Sequence, residues 1–252
     1  MTPVGWARRW ARGKDAGSAD GTRHRRDRGR SIRAQPVRSD DTAFISIRTL
    51  RPSPAYSAIA ALTWPILYGL YRLHARGREN VPAGGCVLAC NHVSSFDPWP
   101  LAMPLWPQRF FRFMAKSELY WFPLGKLIGA AGAFPVLRGQ HDIEAIETAV
   151  RLAREGNIVV MFPEGTRRTK GLVKRFEARP RSGAARIALE AGVPLVPAAV
   201  RGTDRLMRLG RLSVAYGAPV EIDDLRGRDV AEAAPEATER LMARIAELEA
   251  SL

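Results

Sequence analysis

Short runs of consecutive apolar residues alternate with amphipathic segments along most of the chain. Apolar residues spaced three or four apart predict four helices, over residues 117–131, 142–155, 182–190 and 230–252. Apolar runs of strand length predict five strands, at residues 86–90, 133–137, 158–162, 195–200 and 211–216. Strands that alternate with helices predict an α/β fold, in which flanking helices cover a mostly parallel, layered sheet.

Glycine and proline mark boundaries within this pattern. Gly156 and Gly192 follow two of the predicted helices and indicate where those helices end. Pro197 lies inside the run 195–200, and its missing backbone N–H predicts an edge or bulged position in the sheet.

Residues 52–71 form a stretch of twenty residues without a charge. Its length is sufficient for a membrane-spanning helix, but Pro52 and Pro54 delay the helix start and Pro65 interrupts it. Its tyrosines and tryptophan are residue types that favour the membrane interface. We therefore expect a membrane-associating helical segment over 46–77 that lies in the interface. A single span and a helix buried against the domain remain alternatives.

The positive charge is concentrated near the start of the 252-residue chain, whose net charge is +14. Residues 1–40 hold eleven basic and four acidic side chains and show no apolar period, which predicts a disordered basic tail over 1–45. Such a tail is either an electrostatic tether to anionic lipid or nucleic acid, or a solvated extension. Nucleic-acid binding is not expected, because few aromatic residues interleave with the basic ones.

Two cysteines, Cys86 and Cys90, lie four positions apart in a predicted strand. Residues at this spacing share a face of the sheet but are too far apart for a disulfide. We expect two buried, reduced side chains.

The segment Asn91–Asp97 directly follows the predicted strand 86–90 and contains a histidine and an aspartate five residues apart. At the carboxyl edge of a sheet, a carboxylate can orient an imidazole that takes a proton from a hydroxyl. The chain has no Gly-x-Ser-x-Gly segment. We therefore expect the activated hydroxyl to belong to a substrate, although the His92–Asp97 pair alone is also compatible with coincidence.

A second polar segment, Phe162–Arg167, directly follows the strand 158–162. Gly165 permits a tight turn whose amides can face an anion, and Arg167 can bind a phosphate in a fork. Taken alone, the segment is compatible with a generic anion site or with an ordinary turn.

The combination of segments resembles the glycerolipid acyltransferases, the 1-acylglycerol-3-phosphate acyltransferase family. Four blocks occur in the order typical of that family, at residues 91–97, 132–138, 162–167 and 193–197. The resemblance covers about residues 78–220. It implies a glycerolipid acyltransferase-like layered sheet in an acyltransferase domain over 78–252.

The resemblance also implies roles for individual residues. His92 is expected to be the general base and Asp97 the residue that orients it, and Pro197 is expected near the acyl donor. The acceptor's phosphate site is expected to be shaped by Arg138, Glu164, Gly165, Thr166, Arg167 and Lys116. Glu164 repels a phosphate and is therefore expected to brace Arg167 or backbone amides. A solvated lysine at 116 and an ordinary core strand at 197 are the alternatives.

The activity implied by the resemblance is acyl transfer from acyl-CoA or acyl carrier protein to the free hydroxyl of 1-acyl-sn-glycerol 3-phosphate, a lysophosphatidic acid. The product is phosphatidic acid, a step of phospholipid biosynthesis. No metal or bound cofactor is expected, and the expected location is the cytoplasmic face of the cell membrane, on its phospholipid surface. Alternative acceptors are glycerol-3-phosphate and another lysophospholipid or glycolipid. A non-catalytic lipid-binding protein on the same fold is an alternative of another class.

Overall fold

The computed structural model describes residues 52–116, 124–136, 142–165, 169–170, 174–175 and 180–252. The predicted basic tail over 1–45 lies outside the described residues, as do Arg138, Thr166 and Arg167.

Within these described ranges, seven strands form one sheet in the order β1-β9-β8-β2-β5-β3-β4. The bounds of these strands are β1 His74–Arg76, β2 Cys86–Cys90, β3 Phe111–Lys116, β4 Ala133–Val136, β5 Ile158–Met161, β8 Leu195–Arg201 and β9 Ser213–Tyr216. All neighbours pair in parallel except β8 and β9. The short strands β6 Thr169–Lys170 and β7 Lys174–Arg175 form a separate antiparallel pair. The prediction of a mostly parallel sheet is confirmed.

Two strands of the main sheet, β1 and β3, are not among the predicted ones. In β3 the polar Arg112 interrupts the apolar run, so its pattern does not resemble that of a buried strand. In β1 only three residues pair, and they include His74 and Arg76. Because β1 belongs to the sheet, the sheet begins before residue 78, where we predicted the acyltransferase domain to start.

In the residues that the structure describes, six α-helices accompany the sheet: α1 Pro54–Pro65, α2 Pro98–Ala102, α3 Leu124–Ala130, α4 Asp142–Arg154, α5 Gly183–Ala191 and α6 Val230–Ala250. The Ser53 hydroxyl accepts from the Tyr56 amide at 3.1 Å and caps α1, which begins with Pro54. The α-helical hydrogen bonding ends at Pro65, as expected, and the chain continues as a π-helical turn over Ile66–Leu70. In the part of the chain that the structure describes, no helix combines the length and apolarity needed to span a membrane.

Successive residues of each strand point to opposite sides of the sheet, so a continuous apolar run places apolar side chains on both faces. Both faces are therefore covered. Val87 and Ala89 of β2 belong to a core shared with α4, α5 and α6. Cys86, Leu88 and Cys90 belong to the core on the other face, together with residues of α1, the π-helical turn and α2. Both cysteines are free and buried, as predicted. The result is the expected layered α/β architecture with flanking helices.

The edge position expected for Pro197 is wrong, because β8 pairs with β2 on one side and with β9 on the other. The bulge alternative describes the observed pairing. Ala198 pairs with Tyr216 and Leu195 with Val220, so two residues of β8 face the three residues 217–219 of the partner segment. The proline therefore occupies an irregular point of the ladder, where a missing N–H is tolerated.

Candidate active site

His92 and Asp97 come together where the predicted polar segment leaves the carboxyl end of β2. The distance from His92 Nδ1 to Asp97 Oδ2 is 2.8 Å; the imidazole is partly exposed and the carboxylate is buried. Because a carboxylate oxygen accepts at this contact, the matching tautomer carries its proton on Nδ1 and leaves Nε2 as the acceptor. This geometry suits a general base.

Three further donors hold the Asp97 carboxylate. Its Oδ2 accepts from the amides of Val93 at 2.7 Å and Ser94 at 2.9 Å. Its Oδ1 accepts from the Thr203 hydroxyl at 2.5 Å. These hydrogen bonds fix the orientation of the buried carboxylate, so its Oδ2 stays in place against Nδ1 of His92.

Thr203 is a site residue that the sequence reasoning missed. It is buried and begins the 3-10 turn Thr203–Arg208, which follows β8 after Gly202. The chain emerges there at the same edge of the sheet as His92, because β8 and β2 are parallel neighbours. The same rule that located the two polar segments would have located Thr203.

Asn91 has a structural contact that its place in the first polar segment does not predict. The side chain is fully buried, its Nδ2 donates to the Val200 carbonyl at 3.0 Å, and its Oδ1 accepts from the Val200 amide at 2.8 Å. The amide group thus continues the pairing of β2 with β8 by one position. It fixes the start of the segment that carries His92.

The two predicted segments meet in a ring contact between His92 and Phe162. Their ring centroids are 4.2 Å apart and their planes differ by 22°, which is a stacked arrangement. The contact follows from the strand order, since β2 and β5 are parallel neighbours and the two segments leave their carboxyl ends. Phe162 therefore limits the orientation of the imidazole from one face.

The loop after β5 forms a tight turn in which the Phe162 carbonyl accepts from the Gly165 amide at 2.9 Å. Gly165 has a φ of 66°, in the left-handed region that favours glycine. Glu164 is buried within this turn, which agrees with a bracing role. That role stays a prediction, because its expected partner Arg167 lies outside the described residues.

Arg181 is a cation at this loop that the sequence reasoning also missed. Its amide donates to the Pro163 carbonyl at 2.7 Å. Its guanidinium lies so close to Gly165 that a Cβ there would approach Nε to 2.7 Å. No carboxylate among the described residues forms an ion pair with this side chain. In the sequence, the signal for Arg181 was its position directly before the helix predicted over residues 182–190.

The remaining predicted site residues are distributed as follows. Lys116 ends β3 and so lies at the carboxyl edge, but β5 separates its strand from β2. Pro197 is buried within β8 beside Ala89 of β2, a position that suits the core-strand alternative. Its expected place near the acyl donor stays a prediction. The described residues contain no group of three His, Cys, Asp or Glu side chains that would hold a metal ion.

Comparisons with known proteins identify a family and several similar sequences. The family model described as Acyltransferase matches residues 72–201. A 1-acyl-sn-glycerol-3-phosphate acyltransferase of Bacillus subtilis is 35% identical over 183 residues, which are 69% of this chain and 87% of that protein. A chloroplastic protein of the same name from Brassica napus is 30% identical over 149 residues, which are 57% of this chain and 41% of that protein.

A solved structure has a similar fold. It is the 1-acyl-sn-glycerophosphate acyltransferase PlsC from Thermotoga maritima, with a TM-score of 0.56 and 23% identity. The likeness covers 77% of this chain and 78% of that one. The expected glycerolipid acyltransferase-like fold is thereby confirmed.

Proposed function

The chain belongs to the Acyltransferase family, and we propose that it moves a fatty acyl group from a thioester to the free hydroxyl of 1-acyl-sn-glycerol 3-phosphate. The product is phosphatidic acid, an intermediate of phospholipid biosynthesis. The observation that carries the proposal is the His92–Asp97 pair at 2.8 Å, held beside the loop of Phe162. The names of the relatives support the choice of acceptor.

The reaction begins with proton transfer. Nε2 of His92 takes the proton of the acceptor's hydroxyl as its oxygen attacks the thioester carbonyl carbon. The resulting tetrahedral intermediate collapses, the C–S bond breaks, and the imidazolium returns the proton to the leaving thiolate. The products are an ester and a free thiol, and no covalent enzyme intermediate forms.

Asp97 serves this cycle by holding the imidazole and stabilising its charged form. Its bond to Nδ1 keeps the tautomer in which Nε2 accepts a proton, and its negative charge favours the transient imidazolium. The stacked ring of Phe162 keeps the imidazole plane fixed, so fewer unproductive orientations compete.

The acceptor's phosphate is bound by cations at the loop after β5. Arg181 stands against Gly165 and presents a guanidinium suited to paired hydrogen bonds with phosphate oxygens. The predicted residues Lys116, Arg138, Thr166 and Arg167 complete this site in our proposal. The resemblance to the family supports those four, and the structure supports Arg181.

The acyl donor is acyl-CoA or an acylated carrier protein, because both present the thioester that the reaction needs. The chemistry assigned to His92 and Asp97 requires no bound cofactor or metal. We treat the donor as a co-substrate.

We propose that the enzyme acts at the cytoplasmic face of the cell membrane, as a peripheral or monotopic protein. The lipid nature of the proposed acceptor supports work at a membrane surface. Exposed apolar side chains of α1 and the π-helical turn support a membrane-associating segment over 46–77: Leu62, Trp64, Ile66 and Leu70. Trp64 also lies against Tyr68, with ring centroids 5.1 Å apart, and both are residue types of the membrane interface.

The proposal is tested by measuring thiol release from acyl-CoA with lysophosphatidic acid, and by identifying the product by mass spectrometry. We expect phosphatidic acid from the wild-type protein and a loss of about 10²- to 10⁴-fold in kcat for His92→Ala. His74→Ala is the matched control, since His74 is exposed in β1 and belongs to no part of the site. Near wild-type rates in His92→Ala would contradict the mechanism.

A panel of acceptors separates the substrate alternatives. Glycerol-3-phosphate, lysophospholipids with larger head groups and a glycolipid are each offered with one acyl-CoA. Preference for one of them over lysophosphatidic acid would leave the proposed mechanism intact and replace the proposed acceptor. Absence of any ester product with either type of donor would instead favour a non-catalytic lipid-binding protein.

A further inference from the structure

Large apolar side chains that face solvent are concentrated in two segments of the protein. Eight such side chains occur in the described part of the chain. Four belong to α1 and the π-helical turn, and two belong to the segment after β8, which we call the 203–209 turn. We refer to these six as the apolar rim: Leu62, Trp64, Ile66, Leu70, Met207 and Leu209. Phe96 and Ile143 are the other two.

The two segments of the apolar rim adjoin each other. The Tyr71 hydroxyl donates to the Leu206 carbonyl at 3.3 Å. The Leu212 amide donates to the Tyr71 carbonyl at 3.1 Å, and the Leu212 carbonyl accepts from the His74 amide at 3.0 Å. The 203–209 turn is therefore anchored to the chain that leaves α1, so the two segments are neighbours in the fold.

Packing within the protein does not explain why apolar side chains occupy the tip of the 203–209 turn, at Met207 and Leu209. Met207 is 96% exposed and Leu209 is 47% exposed, so neither side chain contributes much burial to the fold. Leu209 also has a φ of 50°, a left-handed conformation that costs a leucine roughly 1–2 kcal/mol. Exposed apolar side chains that are grouped in this way are typical of a surface that contacts an external partner.

The charges around the tip indicate an anionic partner. Arg205, Arg208 and Arg211 lie in or directly after the turn, and Arg72 follows the π-helical turn. The turn contains one acid, Asp204, whose carboxylate is 3.5 Å from Arg205. Apolar side chains with arginines close to them in the chain match the surface of an anionic lipid bilayer, in which acyl chains lie below negatively charged head groups.

We propose that the 203–209 turn inserts into an anionic membrane surface, with Met207 and Leu209 as its membrane-embedded side chains beside α1. The turn begins at Thr203, whose hydroxyl holds Asp97. Insertion therefore keeps the His92–Asp97 pair close to the lipid–water boundary. This consequence for catalysis rests on the proposed function, whereas the insertion itself does not.

The insertion is tested on the full-length chain by flotation with vesicles of phosphatidylcholine and phosphatidylglycerol, without substrate. The variant combines Met207→Ser with Leu209→Asn, because asparagine tolerates a positive φ. A salt concentration of about 0.5 M shortens the screening length to roughly 4 Å and suppresses binding through the basic tail. We expect the fraction bound to fall about tenfold or more, as two large side chains lose their burial.

Ile143→Ser is the matched control, since Ile143 is 63% exposed on α4 and lies outside the apolar rim. It should bind vesicles like the wild-type protein. Equal binding by the Met207/Leu209 variant would overturn the proposal. So would a change in oligomeric state by light scattering with unchanged vesicle binding, which would identify a contact with a second copy of the chain.

A catalytic readout distinguishes this inference from the proposed function. Two rates of acyl transfer are compared, one with the acceptor in vesicles and one with a short-chain acceptor below its critical micelle concentration. In the variant, the first rate should fall relative to the second, in parallel with the loss of vesicle binding. A wild-type protein that binds vesicles but transfers no acyl group would contradict the proposed function and leave the insertion intact.

Discussion

The Thr203 hydroxyl donates to Asp97 Oδ1 at 2.5 Å, across a separation of 106 residues in the sequence. This contact joins the end of β8 to the carboxylate that orients His92. Because the Asp97 carboxylate is buried, each donor that it loses leaves charge without compensation. In the proposed mechanism, Thr203 is thus a positioning residue that acts through Asp97 on His92.

Replacing Thr203 tests this role. We expect Thr203→Val to lower kcat about tenfold with little change in the KM for the acceptor, because the loss affects the orientation of the base. Thr203→Ser should restore most of the activity, since it keeps the hydroxyl. Steady-state kinetics of the three proteins provide the measurement.

Thr238→Val is the matched control for this substitution. Thr238 is buried in α6, and its hydroxyl donates to the Ala234 carbonyl at 2.7 Å. It should change thermal stability and leave kcat unaltered. Equal kcat values for Thr203→Val and the wild-type protein would contradict the positioning role.

The paired hydrogen bonds of Asn91 with the Val200 backbone predict a loss of stability on substitution. Asn91→Ala leaves a buried N–H and a buried carbonyl without their partner, at a cost of about 2–4 kcal/mol in the free energy of unfolding. Urea unfolding measures this loss. Asn157→Ala removes a single bond, to the Leu152 carbonyl at 3.0 Å, and should cost about half as much.

Asn91 should also affect catalysis, unlike Asn157. At a temperature where both variants are folded, kcat should fall in Asn91→Ala because the start of the His92 segment is no longer held against β8. Similar kcat values for the two variants would show that the role of Asn91 is confined to folding.

The position of Arg181 against Gly165 predicts a specific effect on acceptor binding. We expect Arg181→Ala to raise the KM for lysophosphatidic acid about tenfold and to leave the KM for the acyl donor unchanged. The substitution keeps the amide that donates to Pro163, so the loop retains its anchor. Initial rates at varied concentrations of each substrate provide the comparison.

Arg186→Ala serves as the control for the loss of one positive charge. Arg186 lies on α5, and its Nε donates to Glu190 Oε1 at 2.6 Å. This variant should keep both KM values. If Arg181→Ala raises neither KM, or both equally, Arg181 does not bind the acceptor's phosphate.

Burial of Cys86 predicts a pH dependence of stability. Burial raises the pKa of the Cys86 thiol from 9.0 to about 12. The unfolded chain therefore releases this proton near its ordinary pKa, while the folded chain keeps it. The free energy of unfolding consequently falls as pH rises through the window between the two values.

The expected loss from this group is about 1.4 kcal/mol between about pH 8 and about pH 10. Urea unfolding at the two pH values measures it. Cys86→Ala removes the titrating group, so its free energy of unfolding should fall by about 1.4 kcal/mol less between these two pH values. This expectation holds whatever the stability of the variant near pH 8. An identical dependence in both proteins would contradict the assignment.

The sequence by itself determined the fold class and the position of the His92–Asp97 pair. A strand buried on both faces reads as a continuous apolar run, which is why β2, β5 and β8 were predictable. The carboxyl ends of such strands share one edge of the sheet, so the segments after β2 and β5 leave the sheet at the same edge. His92 stacks on Phe162 there.

Tertiary structure alone decided which further residues complete the site. The strand order places β2 between β5 and β8, and it thereby brings Asn91 against Val200 and Asp97 against Thr203. The spacing of residues along the chain does not predict such contacts, because they depend on which strands become neighbours. Local periodicity encodes which residues are buried, whereas the pairing of distant strands selects the partners of each buried polar group.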